Sequence, residues 1–120
     1  MKGFLIDTSV IISLLKDELG KEYEDFVLSK NSSISIITFL ETARFYRLAG
    51  LKNKWPEAKK ELEKFEILQL TQSIAENAAA YAGKLSIADS IIYATAYEHK
   101  LTVVTKDKDF KGLQDAVVLK

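Results

Sequence analysis

The segment Gly3-Phe4-Leu5-Ile6-Asp7-Thr8-Ser9 decides the fold class, because an uncharged apolar run ends in three residues that favour turns and helix caps. This pattern predicts a buried strand that leads directly into a helix. The apolar residues Val10, Ile11, Leu14 and Leu15 then recur at helical spacing, and Gly20 is predicted to end the helix.

The rest of the chain alternates in the same way. Further strands are predicted around Ile34–Ile37, Phe65–Leu70, Leu101–Val104 and Ala116–Leu119, and further helices at 23–31, 38–50, 56–64, 73–83 and 86–100. Short apolar strands separated by helices are typical of a parallel sheet covered on both faces. We therefore predict a three-layer α/β/α fold.

The composition narrows the class of protein. The chain has 120 residues, of which 48% are hydrophobic, and this favours a single domain over residues 1–120. It contains no cysteine, which excludes disulfides and thiol nucleophiles and fits a cytoplasmic location. No apolar run approaches the roughly 20 residues of a membrane span, so no membrane association is expected.

Charge is balanced overall but uneven along the chain. The 17 basic residues match the 17 acidic ones, so the whole molecule has no strong field that would attract nucleic acid nonspecifically. Between Arg44 and Lys64, however, basic residues are in excess. Lys52 to Lys64 within this segment is interpreted as a solvated helix face, and a phosphate-binding stripe remains the alternative.

Large apolar residues cluster in the same part of the sequence. They are Phe39, Phe45, Tyr46, Leu48 and Trp55. Two interpretations remain open: some of them face a partner subunit, or all of them lie in the core of the monomer.

Four carboxylates are predicted at the ends of secondary-structure elements. Asp7 follows the first strand, Glu41 and Asp89 lie in helices opened by Thr38 and Ser86, and Asp107 follows Val103-Val104-Thr105. A parallel sheet of this class gathers such positions at one edge, where closely packed carboxylates repel one another unless a cation lies among them. Oxygen ligands favour Mg²⁺ or Mn²⁺, and a water bound to such a cation is suited to attack a phosphodiester.

Each carboxylate also has a purely structural explanation. Thr38 with Glu41 and Ser86 with Asp89 match capping boxes, Asp7 offers an N-cap, and residues 105–109 resemble a polar turn. The hydroxyl residues Thr8, Ser9 and Thr105 either orient the carboxylates and waters or act as caps. His99, at the end of a predicted helix, is interpreted as a surface residue without a catalytic role.

Four segments together resemble the PIN-domain family, in particular its VapC-type toxins. They are F-L-I-D-T-S-V-I-I from Phe4, I-T-F-L-E-T-A-R from Ile37, L-S-I-A-D-S-I-I-Y-A-T-A from Leu85 and L-T-V-V-T-K-D-K-D-F from Leu101. The resemblance extends over nearly the whole chain and implies a five-stranded parallel sheet.

The resemblance also implies a function. A member of this family is expected to cleave RNA with Mg²⁺ or Mn²⁺, to form a homodimer, and to be inhibited by a cognate antitoxin laid across the acidic site. The acidic positions of the family carry over to Asp7, Glu41, Asp89 and Asp107, and its hydroxyl carries over to Ser9 or Thr105. Asp109, in the same turn as Asp107, either assists in binding the metal or has a capping or turn role.

Two other functions compete with a nuclease. One is a non-catalytic PIN-like interaction module whose acidic edge docks a basic partner, although four intact carboxylates disfavour it. The other is a phosphoacceptor domain, but Asp7-Thr8-Ser9 lacks the second carboxylate of the phosphatase pattern, and Glu41 and Asp89 would have no role in it.

Overall fold

The computed structural model describes residues 3–120 and has a five-stranded parallel sheet in the order β3-β2-β1-β4-β5. The strands are β1 (Phe4–Ile6), β2 (Ser32–Ser35), β3 (Glu66–Leu68), β4 (Thr102–Thr105) and β5 (Ala116–Val118). Leu5 pairs with Ser33 of β2 on one side and with Val103 of β4 on the other. β1 is therefore the central strand, and all five strands end at the same edge.

Six α-helices cover the sheet in the part of the chain that the structure describes. They are α1 (Thr8–Leu15), α2 (Lys21–Val27), α3 (Ile36–Leu48), α4 (Trp55–Leu62), α5 (Gln72–Ala78) and α6 (Ile87–His99). Ile6 belongs to the same core cluster as Val10 and Leu62, whereas its neighbour Leu5 belongs to another cluster with Ile92. Successive residues of β1 thus enter cores on opposite faces, which confirms the three-layer α/β/α fold. Within residues 3–120, no helix is long and apolar enough to cross a membrane.

The boundary between β2 and α3 differs from the prediction. Ile36 and Ile37 belong to α3 and not to a strand, because the Ser35 hydroxyl accepts a hydrogen bond from the Ile37 amide at 3.0 Å and caps the helix there. Thr38 is consequently inside the helix, and the predicted capping box of Thr38 and Glu41 is wrong. Three isoleucines near this boundary suit a strand or a helix face equally, so their pattern did not locate it.

The aromatic residues around α3 pack mainly within the monomer. The ring centroids of Phe39 and Trp55 are 5.5 Å apart, and those of Tyr46 and Trp55 are 6.0 Å apart. Tyr46 is only 7% exposed, whereas Leu40 and Leu48 are 59% and 73% exposed. The core interpretation is therefore correct for Tyr46, and the outward apolar surface of α3 consists of the two leucines.

Candidate metal centre

Asp7 lies where β1 ends, and neighbouring hydroxyl groups orient its carboxylate. Its Oδ2 accepts hydrogen bonds from Ser9 Oγ at 2.9 Å and from Thr105 Oγ1 at 2.6 Å. The residue occupies the N-cap position of α1, but its side chain makes no capping hydrogen bond, so that structural explanation of the carboxylate is wrong. Asp7 is 3% exposed. Among residues 3–120 this carboxylate has no basic partner, and a charge buried to this extent would be costly unless a cation accompanied it.

The same two hydroxyls connect Asp7 to the turn that follows β4. Thr105 Oγ1 accepts a hydrogen bond from the Asp107 amide at 2.9 Å, and Ser9 Oγ accepts one from the Lys106 amide at 3.0 Å. Each hydroxyl donates a hydrogen bond to Asp7 and accepts one from a backbone amide of the turn. These two bonds use the hydroxyl's one proton and one of its two lone pairs. The position of Asp107 relative to Asp7 is thereby set by Ser9 and Thr105.

Three carboxylates converge beside this turn. Asp89, Asp107 and Asp109 each present an oxygen atom such that all three atoms lie within 4.8 Å of one another. Asp89 reaches the group from the first turn of α6, where the Ser86 hydroxyl caps its amide at 3.1 Å. Asp107 Oδ1 accepts the Asp109 amide at 2.9 Å and opens the 3-10 turn Lys108–Phe110. The spacing T-x-D-x-D is the signal in the sequence that Asp109 shares this site.

Glu41 reaches the same sheet edge from α3 but is not a member of the group of three. Its Oε1 accepts a hydrogen bond from Thr8 Oγ1 at 2.6 Å, and Thr8 Oγ1 also lies 3.1 Å from Thr38 Oγ1. Thr38 is fully buried. Thr8, the residue that follows Asp7, therefore links Glu41 to the end of β1. The structure thus brings all four predicted carboxylates to one edge of the sheet.

The electrostatic effect of this crowding is clearest at Asp89. Its pKa is raised to about 7 by burial first, then by its hydrogen bond to Asp107 and by the negative charges of Asp7 and Asp107, while Ser86 opposes the rise. A hydrogen bond between two carboxyl groups requires a shared proton. A divalent cation would supply the same positive charge, so the oxygen donors present fit Mg²⁺ or Mn²⁺.

This raised pKa predicts how stability depends on pH. Between its usual pKa of 3.8 and about 7, Asp89 binds more protons in the folded than in the unfolded protein, so the metal-free protein loses stability as pH rises through that window. Asp89→Asn should remove this loss, making the variant more stable than wild type at pH 8 in EDTA. Thermal unfolding between pH 4 and pH 8 measures the difference. If Asp89 were only a cap, the variant would instead lose about 1 kcal/mol or less.

His99 is exposed in the last turn of α6, at the opposite end of that helix from Asp89. The interpretation of His99 as a surface residue is therefore confirmed. With this histidine remote and no cysteine in the chain, the groups at this edge that could bind a metal are carboxylate and hydroxyl oxygens.

Comparison with known proteins bears on the family and the fold. The sequence model of the PIN domain matches residues 4–115. A toxin–antitoxin complex from Klebsiella pneumoniae contains a chain 29% identical to this one, with 97% of each chain covered and a TM-score of 0.79. FitAcB from Neisseria gonorrhoeae is 27% identical, with 98% of this chain and 96% of that chain covered and a TM-score of 0.73.

Another similar structure is DNA-bound VapBC from Salmonella typhimurium. It is 22% identical, with 99% of this chain and 98% of that chain covered and a TM-score of 0.81, and it supports the fold alone. Among curated proteins, none matches the sequence significantly.

Proposed function

The chain belongs to the PIN domain family, and from this premise we propose that it is a metal-dependent endoribonuclease and the VapC-type toxin of a type II toxin–antitoxin pair. The observation that carries the proposal is the convergence of Asp89, Asp107 and Asp109 beside Asp7, with the pKa of Asp89 raised to about 7. Crowding of carboxylates lowers the stability of the folded protein. A functional site that needs these carboxylates is a reason for the protein to retain them.

Asp7, Asp89 and Asp107 are proposed to hold Mg²⁺ or Mn²⁺, with Asp109 assisting from its exposed position in the group of three and Glu41 at the periphery of the site. When bound, the cation makes a water molecule acidic enough to attack a phosphodiester and neutralises charge on the leaving oxygen. The hydroxyls of Ser9 and Thr105 hold Asp7 Oδ2 and leave Oδ1 without a hydrogen bond to any residue in 3–120. Glu41, fixed through Oε1, keeps Oε2 available to accept a proton from water.

The proposed partners follow from the comparison with known toxin–antitoxin structures and from the negative charge of the acidic edge. The 29% identical relative is part of a toxin–antitoxin complex, and we propose an antitoxin for this chain as well. A basic antitoxin segment would complement the acidic edge. We further propose a cytoplasmic homodimer that uses the exposed Leu40 and Leu48 of α3, with light scattering at micromolar concentration as the measurement.

Cleavage of RNA by the purified protein tests the function. A pool of total cellular RNA avoids assuming a target, and it is incubated with the protein in Mg²⁺ or Mn²⁺. We expect discrete fragments from the pool and much slower cleavage of a single-stranded DNA pool. A protein that binds RNA but cleaves none of it would support the non-catalytic interaction module, and stable labelling by a phosphodonor would support the phosphoacceptor domain.

A further inference from the structure

Lys106 lies in the turn after β4, and α1 holds it at both ends. Its backbone amide donates to Ser9 Oγ at 3.0 Å, and its Nζ donates to Ser13 Oγ at 2.8 Å. Ser9 and Ser13 are four residues apart and therefore share one face of α1. The lysine side chain thus runs along α1, from Ser9, which is hydrogen-bonded to Asp7, to Ser13 in the next turn of the helix.

The charge of Lys106 is not used by a protein carboxylate. Within residues 3–120, the ion pairs of lysines are Lys16 with Glu18 and Lys64 with Glu61, and Lys106 has none. An ammonium group has three N–H donors, and Ser13 accepts one of them. Because Lys106 is half-buried, its remaining donors can face water or an anion at the surface. Lys106 directly precedes Asp107 in the chain, yet its ammonium contacts the neutral hydroxyl of Ser13 and no carboxylate. Its positive charge therefore suits an anionic ligand.

We propose that Lys106 binds an RNA phosphate adjacent to the one that is cut, an inference that rests on the proposed nuclease function. Ser9 is hydrogen-bonded to Asp7, and Ser13 lies about 6 Å farther along the axis of α1. The Lys106 ammonium is therefore displaced from the metal centre by roughly one helical turn. Because Ser9 and Ser13 already position the residue, little side-chain entropy is lost when a phosphate replaces water.

Steady-state cleavage of RNA in Mg²⁺ tests this role. Lys106→Gln should raise KM about tenfold, the loss expected for one charge-assisted hydrogen bond. Because the contact is made equally in ground and transition states, kcat should change by less than about twofold. The plot of log(kcat/KM) against log salt concentration should become less steep by about 0.7, the value for one contact to a single strand.

Two variants control for structural effects. Lys106→Arg retains the charge and should keep the salt slope of wild type. Lys30→Gln removes an exposed lysine from the turn that leads into β2, at the opposite edge of the sheet, and should leave KM and the slope unchanged.

The outcomes separate this inference from the function on which it rests. If wild type cleaves RNA but Lys106→Gln behaves like Lys30→Gln, the phosphate contact is overturned while the nuclease function stands. The contact is also overturned if Lys106→Gln lowers kcat and the melting temperature without changing the salt slope, since Lys106 would then only brace the turn against α1. Failure of wild type to cleave RNA would overturn both.

Discussion

Asp7→Asn is expected to lower RNA cleavage by more than about 100-fold, because loss of a group that merely supports a metal ligand already costs 10- to 100-fold. The asparagine keeps a carbonyl oxygen that can accept from Ser9 and Thr105, so the hydroxyl contacts that join β1 to the turn after β4 can persist. The negative charge proposed to hold the cation is lost. Initial rates on the same RNA pool, together with melting temperatures, measure the two effects separately.

The matched control is Asp25→Asn, which makes the same chemical change at an exposed position of α2. Its cleavage rate and melting temperature should equal those of wild type. Retention of cleavage by Asp7→Asn, in protein purified free of contaminating nuclease, would remove Asp7 from the proposed centre. A variant that loses both cleavage and folding would instead indicate that Asp7 mainly holds the sheet edge together.

Removal of divalent cations with EDTA should abolish cleavage, and excess Mg²⁺ or Mn²⁺ should restore it. The possible metal ligands at this edge are carboxylate and hydroxyl oxygens, and in the proposed reaction the attacking water depends on the cation. The cation should also raise the melting temperature at pH 8, where Asp89, with a pKa of about 7, is mostly ionised and repelled by Asp7 and Asp107. That increase should shrink at pH 5, where a proton already occupies Asp89.

Two controls make the metal experiment decisive. Asp7→Asn, purified in parallel, reports any contaminating nuclease, since such an activity would persist in the variant. Ca²⁺, a hard cation of the same charge, tests whether the increase in melting temperature requires charge alone. Undiminished cleavage by wild type in EDTA would contradict the metal mechanism, whatever the effect of cations on stability.

The layered fold could be predicted from the sequence because its signals are local. The apolar run at Phe4–Ile6, followed at once by Asp7, specifies a strand and the start of a helix without reference to any distant residue. Alternation of such units is compatible with few arrangements other than a parallel sheet. The placement of Asp7 and Asp107 directly after strands follows from that architecture, whereas the order of the strands in the sheet came from the structure.

The boundary of α3 depended on one local hydroxyl group that the apolar pattern does not reveal. Ile34, Ile36 and Ile37 are equally suited to a strand and to an apolar helix face, so the periodicity carried no information about where one element ends. The Ser35 cap placed the boundary. As a result, Thr38 is buried beneath Thr8 and does not open the helix.

By itself, the sequence determined the α/β class and the placement of the acidic residues at the ends of strands and the beginnings of helices. Only the tertiary structure decided that Asp109 joins Asp89, 20 residues earlier, and that Ser13 holds Lys106, 93 residues later. The physical reason is that strand and helix formation depend on neighbouring residues, whereas these contacts depend on how closely α1, α6 and the turn after β4 pack at one edge of the sheet.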